Sequence, residues 1–177
     1  MHRIMLVDDE ENILSSLNRI LKREPGLEIV THSDPRAALA EANRSKFDLF
    51  LSDYRMPYMD GVEFLVATKK SNPDAMRLIL SGATDFTGLM DAINQAEIYR
   101  FISKPIQVHE LTQTLHHALH LHDIMEENKR LSSLVRKQEN ELKNRELALK
   151  HFSQEHPTLA NVNWDEDGSI LIDEDDI

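Results

Sequence analysis

Short apolar runs that stop at charged or polar residues alternate along this chain with segments whose apolar residues recur every three or four positions. The runs are Arg3 to Val7, Leu27 to Thr31, Phe47 to Leu51, Arg77 to Gly82 and Tyr99 to Pro105. Each is too short for a confident helix and is bounded by turn residues, so each predicts a strand. Between the first two, Ile13, Leu14, Leu17, Ile20 and Leu21 fall at helical spacing until Pro25-Gly26 ends the segment. Ser33-Asp34-Pro35 supplies an N-cap and a first-turn proline for a second helix through Asn43. A third helix follows Gly61 to about Lys70, a fourth spans about Asp85 to Gln95, and a fifth begins near Val108. Five strands alternating with five helices predict an α/β fold, a doubly wound five-stranded parallel sheet covered on both faces.

What stands at the strand ends carries the chemistry. The first strand stops at Asp8 and Asp9, the third at Asp53, the fourth at Ser81, and the fifth at Lys104-Pro105. Ligands of open α/β sheets sit beyond the carboxyl ends of the strands, so an acid placed there is positioned to act rather than to pack. Three carboxylates in one crevice repel unless a cation joins them, and a hard ion with oxygen ligands such as Mg²⁺ is the expected one. Asp53 is the candidate nucleophile for a phosphoryl group, with the metal and Lys104 neutralising the phosphoryl oxygens.

These residues, in this order, resemble the receiver domain of two-component response regulators, over about residues 2 to 122. The matching features are Asp8-Asp9, Asp53 with Met56-Pro57 and Asp60-Gly61, Ser81-Gly82, and Lys104-Pro105. The resemblance implies a flavodoxin-like sheet and a histidine kinase as phosphodonor to Asp53. It implies that Asp8, Asp9, Asp53 and the Arg55 backbone carbonyl organise Mg²⁺. It further implies that Ser81 bonds the phosphoryl group while Phe101 rotates inward, switching the face of the fourth helix, fifth strand and fifth helix toward a protein output partner. Such a domain catalyses only its own phosphorylation and dephosphorylation. Two residues depart from the familiar pattern. Phe101 stands where tyrosine is common, which removes a hydroxyl, and Arg55 places a long cation at the mouth of the site.

Beyond the fifth strand no glycine or proline interrupts the chain from Val108 until Pro157, which predicts a long C-terminal helix. Leu121, Asn128, Val135, Leu142 and Leu149 at heptad position a pair with Ile124, Leu131, Gln138, Arg145 and Phe152 at d. The spacing predicts a parallel coiled-coil homodimer, with Asn128 setting register and Gln138 and Arg145 weakening the seam. A single helix folded back on the receiver is the alternative. Val162 and Trp164, with Ile170 and Ile172, alternate like a small hairpin. The expected organisation is a receiver over 1–122, a helical extension over 123–152, and an acidic tail carrying the hairpin over 153–177.

Charge and composition change the picture only at the margins. The net charge is −11, and seven acids between Asp165 and Asp176 leave −4 for the rest, which disfavours direct nucleic-acid binding. The chain has no cysteine, no apolar run long enough to span a membrane, and an amino terminus that turns acidic too early for a signal peptide. A cytoplasmic protein that contacts neither nucleic acid nor membrane is expected. Histidines 116, 117, 120 and 122 invite a metal reading, since His116 and His120 lie one turn apart. No acid evident in the sequence completes a site, and the segment is assigned to the polar side of its helix. An alternative function is the regulatory front of a cyclic dinucleotide phosphodiesterase of the HD-GYP type, because IYRFISKP and a long exit helix resemble receivers of that kind. Neither an HD nor a GYP motif is present, and no helix-turn-helix module is evident for a DNA-binding regulator.

Overall fold

In a computed structural model, which describes residues 1–82, 96–155, 163–164 and 170–171, the five apolar runs are strands of one parallel sheet. They are β1 (His2–Val7), β2 (Leu27–His32), β3 (Leu49–Asp53), β4 (Met76–Ser81) and β5 (Arg100–Ser103), in the order β2-β1-β3-β4-β5. All four pairings are parallel. Strands β3 and β4 are buried at every residue, as expected for strands covered on both faces. The reversal of strand order beside β1 opens a crevice between the ends of β1 and β3.

Helices α1 (Glu11–Leu21), α2 (Pro35–Ala42) and α3 (Gly61–Thr68) form as the periodicity predicts. The Asp34 side chain accepts from the Arg36 N–H at the start of α2. Asp60 and Glu63 form a reciprocal capping box on α3, and so fix where the chain turns after β3. The C-terminal helix runs unbroken over Val108–Glu155. The predicted fourth helix lies outside the described residues.

Because side chains alternate along a strand, the sheet separates two apolar clusters. One joins Ile4, Leu6, Leu49, Leu51, Leu78, Leu80 and Ile102 to α1 and to Leu111, Leu115, Ala118 and Leu119 of the C-terminal helix. The other joins Met5, Val7, Phe50 and Ile79 to α2 and α3, with Phe101 packed against it. Phe101 and Ile102 therefore face opposite sides of edge strand β5.

The chain divides into two units, Met1–Glu127 and Asn128–Ile177. In the first, the buried stripe of the C-terminal helix continues to His122, which is 7% exposed. This corrects the assignment of that histidine to a polar face: 122 lies three and four residues beyond 119 and 118, on the same side of the helix. In the second unit the helix is exposed throughout, and β6 (Asn163–Trp164) pairs antiparallel with β7 (Ile170–Leu171). The structure shows a helix across the predicted heptads. None of the described helices is long and apolar enough to cross a membrane.

Candidate functional site

Parallel register brings the strand-end residues together. Val7 is opposite Ser52, so the next residues along, Asp8 and Asp53, leave the sheet side by side. Ser81 is opposite Ser103, so Lys104 follows directly, and its N–H donates to the Ser81 carbonyl at 2.8 Å. The Lys104 Nζ lies 3.0 Å from Asp8 Oδ2 and 2.5 Å from Asp53 Oδ1. One ammonium thus spans two buried carboxylates contributed by residues 8 and 53.

The remaining carboxylate oxygens are held by backbone. Asp8 Oδ1 accepts from the Glu10 N–H at 2.9 Å, at the entry to α1. Asp53 Oδ2 accepts from the Arg55 N–H at 2.9 Å. Gly61 lies against the back of the site, where an added Cβ would collide with the Asp53 carbonyl oxygen, so the turn into α3 tolerates no side chain there.

Electrostatics follow from burial. The Asp53 carboxyl is raised above its ordinary value, first by desolvation and then by the neighbouring Asp8 charge, with Lys104 pulling the other way. Burial pulls Lys104 down, yet its bonds to Asp53 and Asp8 outweigh this and hold it above its usual value. Two desolvated carboxylates face one ammonium, an excess of negative charge whose all-oxygen donors suit a hard divalent cation.

The other expected residues are placed less uniformly. Ser81 is buried, and its hydroxyl donates to the Gly82 carbonyl at 3.1 Å. Phe101 is half-buried against the α2–α3 cluster. The Asp9 and Arg55 side chains are exposed. Sequence reasoning missed a second constellation at the opposite, amino-terminal end of the strands, where His2, His122 and Asp123 converge. Its one signal was the position of His122 on the buried stripe.

Comparison with known proteins gives the family. The model of the response regulator receiver domain matches residues 4–116. The hydrogenase transcriptional regulatory protein HoxA of Cupriavidus necator is 32% identical over 133 residues, which are 75% of this chain and 27% of that protein. An uncharacterized protein from Neptuniibacter caesariensis has a crystal structure similar to this one, with 39% identity and a TM-score of 0.67, covering 72% of this chain and 93% of that chain. The signal receiver domain of an HD domain-containing protein from Pseudomonas fluorescens Pf-5 matches at 33% identity and a TM-score of 0.67, covering 71% of this chain and 92% of the other. The chain spans about a quarter of the length of curated relatives such as HoxA. HoxA being named a transcriptional regulatory protein, the similarity gives no support to the expectation that nucleic acid is excluded. From the family match and the clustered strand-end residues together, the chain belongs to the response regulator receiver domains of two-component systems.

Proposed function

We propose that Asp53 accepts a phosphoryl group from the phosphohistidine of a histidine kinase and that the receiver relays this state to a protein partner. The observation that carries the reading is the convergence of Asp8, Asp53 and Lys104 at the ends of three strands. A carboxylate oxygen of Asp53 attacks phosphorus while the P–N bond breaks and its electron pair returns to the imidazole. Lys104, already within ion-pair distance of Asp53, neutralises the oxygens of the transferred group. Ser81 donates its hydroxyl to the same group, and Phe101 takes up the space that Ser81 leaves.

Asp8, Asp9, Asp53 and the Arg55 backbone carbonyl would hold Mg²⁺. The buried oxygen donors and their excess negative charge fit such an ion. When bound, it supplies charge neutralisation for the phosphoryl oxygens. Asp8 and Asp53 are the members already buried and adjacent, and Asp9 stands at the rim.

Acetyl phosphate with Mg²⁺, or a purified histidine kinase loaded with phosphate, tests the assignment. Intact-mass measurement should find one added phosphoryl group on the wild type and none on Asp53→Asn. Phosphorylation that persists in Asp53→Asn would sink it.

The output reading is a parallel homodimer through the C-terminal helix, with the helical extension taken over 123–152 and the acidic tail over 153–177. Its support is a run of seam residues left exposed, including Val135 (51%), Leu142 (60%) and Leu149 (65%). A second reading, the regulatory part of a cyclic dinucleotide phosphodiesterase, draws on the likeness to the receiver of the Pseudomonas HD domain-containing protein.

A further inference from the structure

We propose that the protein binds a divalent transition metal ion, zinc being the representative, at the end of the sheet opposite Asp53, through His2, His122 and Asp123. One ligand atom from each of these residues lies within 4.8 Å of the others. The group joins the first residue of β1 to the last buried turn of the C-terminal helix, and all of it lies within the Met1–Glu127 unit.

Both rings lie between the same two carboxylates. His2 points Nε2 toward Asp123 Oδ2 at 3.5 Å and Nδ1 toward Asp48 Oδ2 at 3.8 Å. His122 repeats the arrangement, with Nδ1 3.9 Å from Asp123 Oδ1 and Nε2 3.8 Å from Asp48 Oδ1. Each imidazole thus turns one nitrogen to the common centre beside Asp123 and the other to Asp48. A metal-bound histidine is usually supported by an outer carboxylate on its second N–H, and Asp48, at ion-pair rather than hydrogen-bond distance from both rings, stands on that side of each. Asp48 is fixed for that role, because its Oδ2 accepts from the Arg3 N–H at 2.7 Å.

A second observation points to a ligand independently. His122 has a side chain only 9% exposed, and its Nδ1 is buried with no hydrogen-bond partner. A buried imidazole nitrogen without a partner costs stability unless something takes its lone pair. The nitrogen left without a partner is the one facing Asp123 and the common centre. Neutral imidazoles with one carboxylate suit zinc and its neighbours rather than Mg²⁺ or Ca²⁺. Tetrahedral zinc needs its donors about 3.3 Å apart, given bonds of about 2.0 to 2.1 Å. The present separations close to that with a shift of the exposed Asp123 carboxylate and of His2, leaving a fourth position for water.

The histidines that the helical spacing singled out behave differently. His116 is exposed and its Nε2 is 2.8 Å from Glu24 Oε2, so it is engaged with a different acid, six residues before His122.

The test is zinc titration of the untagged full chain against a chromophoric chelator, with millimolar Mg²⁺ present throughout to occupy the acids around Asp53. One equivalent should bind to the wild type, and His2→Gln and Asp123→Asn should each weaken it by more than about tenfold. Both substitutions fall on accessible side chains, so the test does not depend on replacing the buried His122. Asp53→Asn should leave zinc affinity unchanged, which separates this site from the phosphoacceptor site, and so should His116→Gln with His120→Gln. In long-range ¹H–¹⁵N spectra of the imidazoles, zinc should shift His122 Nδ1 as the coordinated nitrogen. Failure of the wild type to bind one equivalent, undiminished binding in His2→Gln and Asp123→Asn, or loss of binding in the His116/His120 variant would each overturn the proposal.

Discussion

Lys104→Met isolates what the bridging ammonium contributes, because methionine keeps most of the apolar stem and removes the charge. In the wild type that charge lies 3.0 Å from Asp8 and 2.5 Å from Asp53, both carboxylates being buried. Removing one partner of a buried ion pair costs about 3 to 5 kcal/mol, chiefly because the other charge is left without compensation. The Lys104 side chain is 23% exposed, so water screens part of the loss and the lower end, about 3 kcal/mol, is expected. The penalty should depend on pH in a direction set by Asp53. Its folded carboxyl is already raised above the ordinary value of 3.8, by desolvation first, and loss of Lys104 removes the main influence opposing that rise. Between the unfolded and folded values the folded state binds the extra proton, so stability falls as pH rises through that window. Urea denaturation without divalent metal should therefore show the full penalty near about pH 7.5 and a smaller one near about pH 5. If the acids hold Mg²⁺ as proposed, millimolar Mg²⁺ should narrow the gap at the higher pH. A penalty below about 1 kcal/mol, or one equal at both pH values, would refute the reasoning.

Gly61→Ala should destabilise the fold by about 1 to 3 kcal/mol and slow phosphorylation, since the new methyl displaces the Asp53 carbonyl; thermal melts and acetyl-phosphate kinetics would show both, and unchanged kinetics would count against the close packing. On the dimer reading, Asn128→Leu should tighten self-association and permit higher oligomers, while Leu131→Glu with Leu142→Glu should leave a monomer. Sedimentation equilibrium decides it, and a wild-type chain that sediments as a monomer removes the coiled-coil reading.

Most of the fold was legible because the strand and helix periods are clean. Phe47 to Leu51 read as a buried strand because the run is short and stops at polar residues, and the observed strand is Leu49–Asp53; Asp34-Pro35 and Asp60-Gly61 announce their helix starts through capping chemistry that is local in sequence. The pairing of Asp8 with Asp53 was legible for a different reason, since parallel strands bring their carboxyl ends to one edge whatever lies between. Lys104 followed from the same rule. The histidine group was not legible, because it depends on tertiary register. His2, Asp48 and His122 are separated by most of the domain, and only the pairing of β1 with β3 and the packing of the last buried helical turn bring them together. Stopping the apolar stripe at Leu119 hid the one clue that His122 offered. Asp9 was read with the other acids from its place at the end of β1 and from the family resemblance, and its exposed side chain stands at the rim of the crevice.

The alternation of Phe101 and Ile102 makes β5 a party wall. Phe101 packs with the α2–α3 side, whereas Ile102 packs with the same cluster as Leu111, Leu115 and Leu119 of the C-terminal helix. A rearrangement sensed at Phe101 therefore has no direct side-chain route, through the described residues, to that helix. It crosses the sheet through the backbone of a strand that, among the described residues, is hydrogen-bonded along one edge, to β4. Sliding such a strand disturbs one ladder, whereas moving an interior strand disturbs two, so the fold places one of its two edge strands between the two faces.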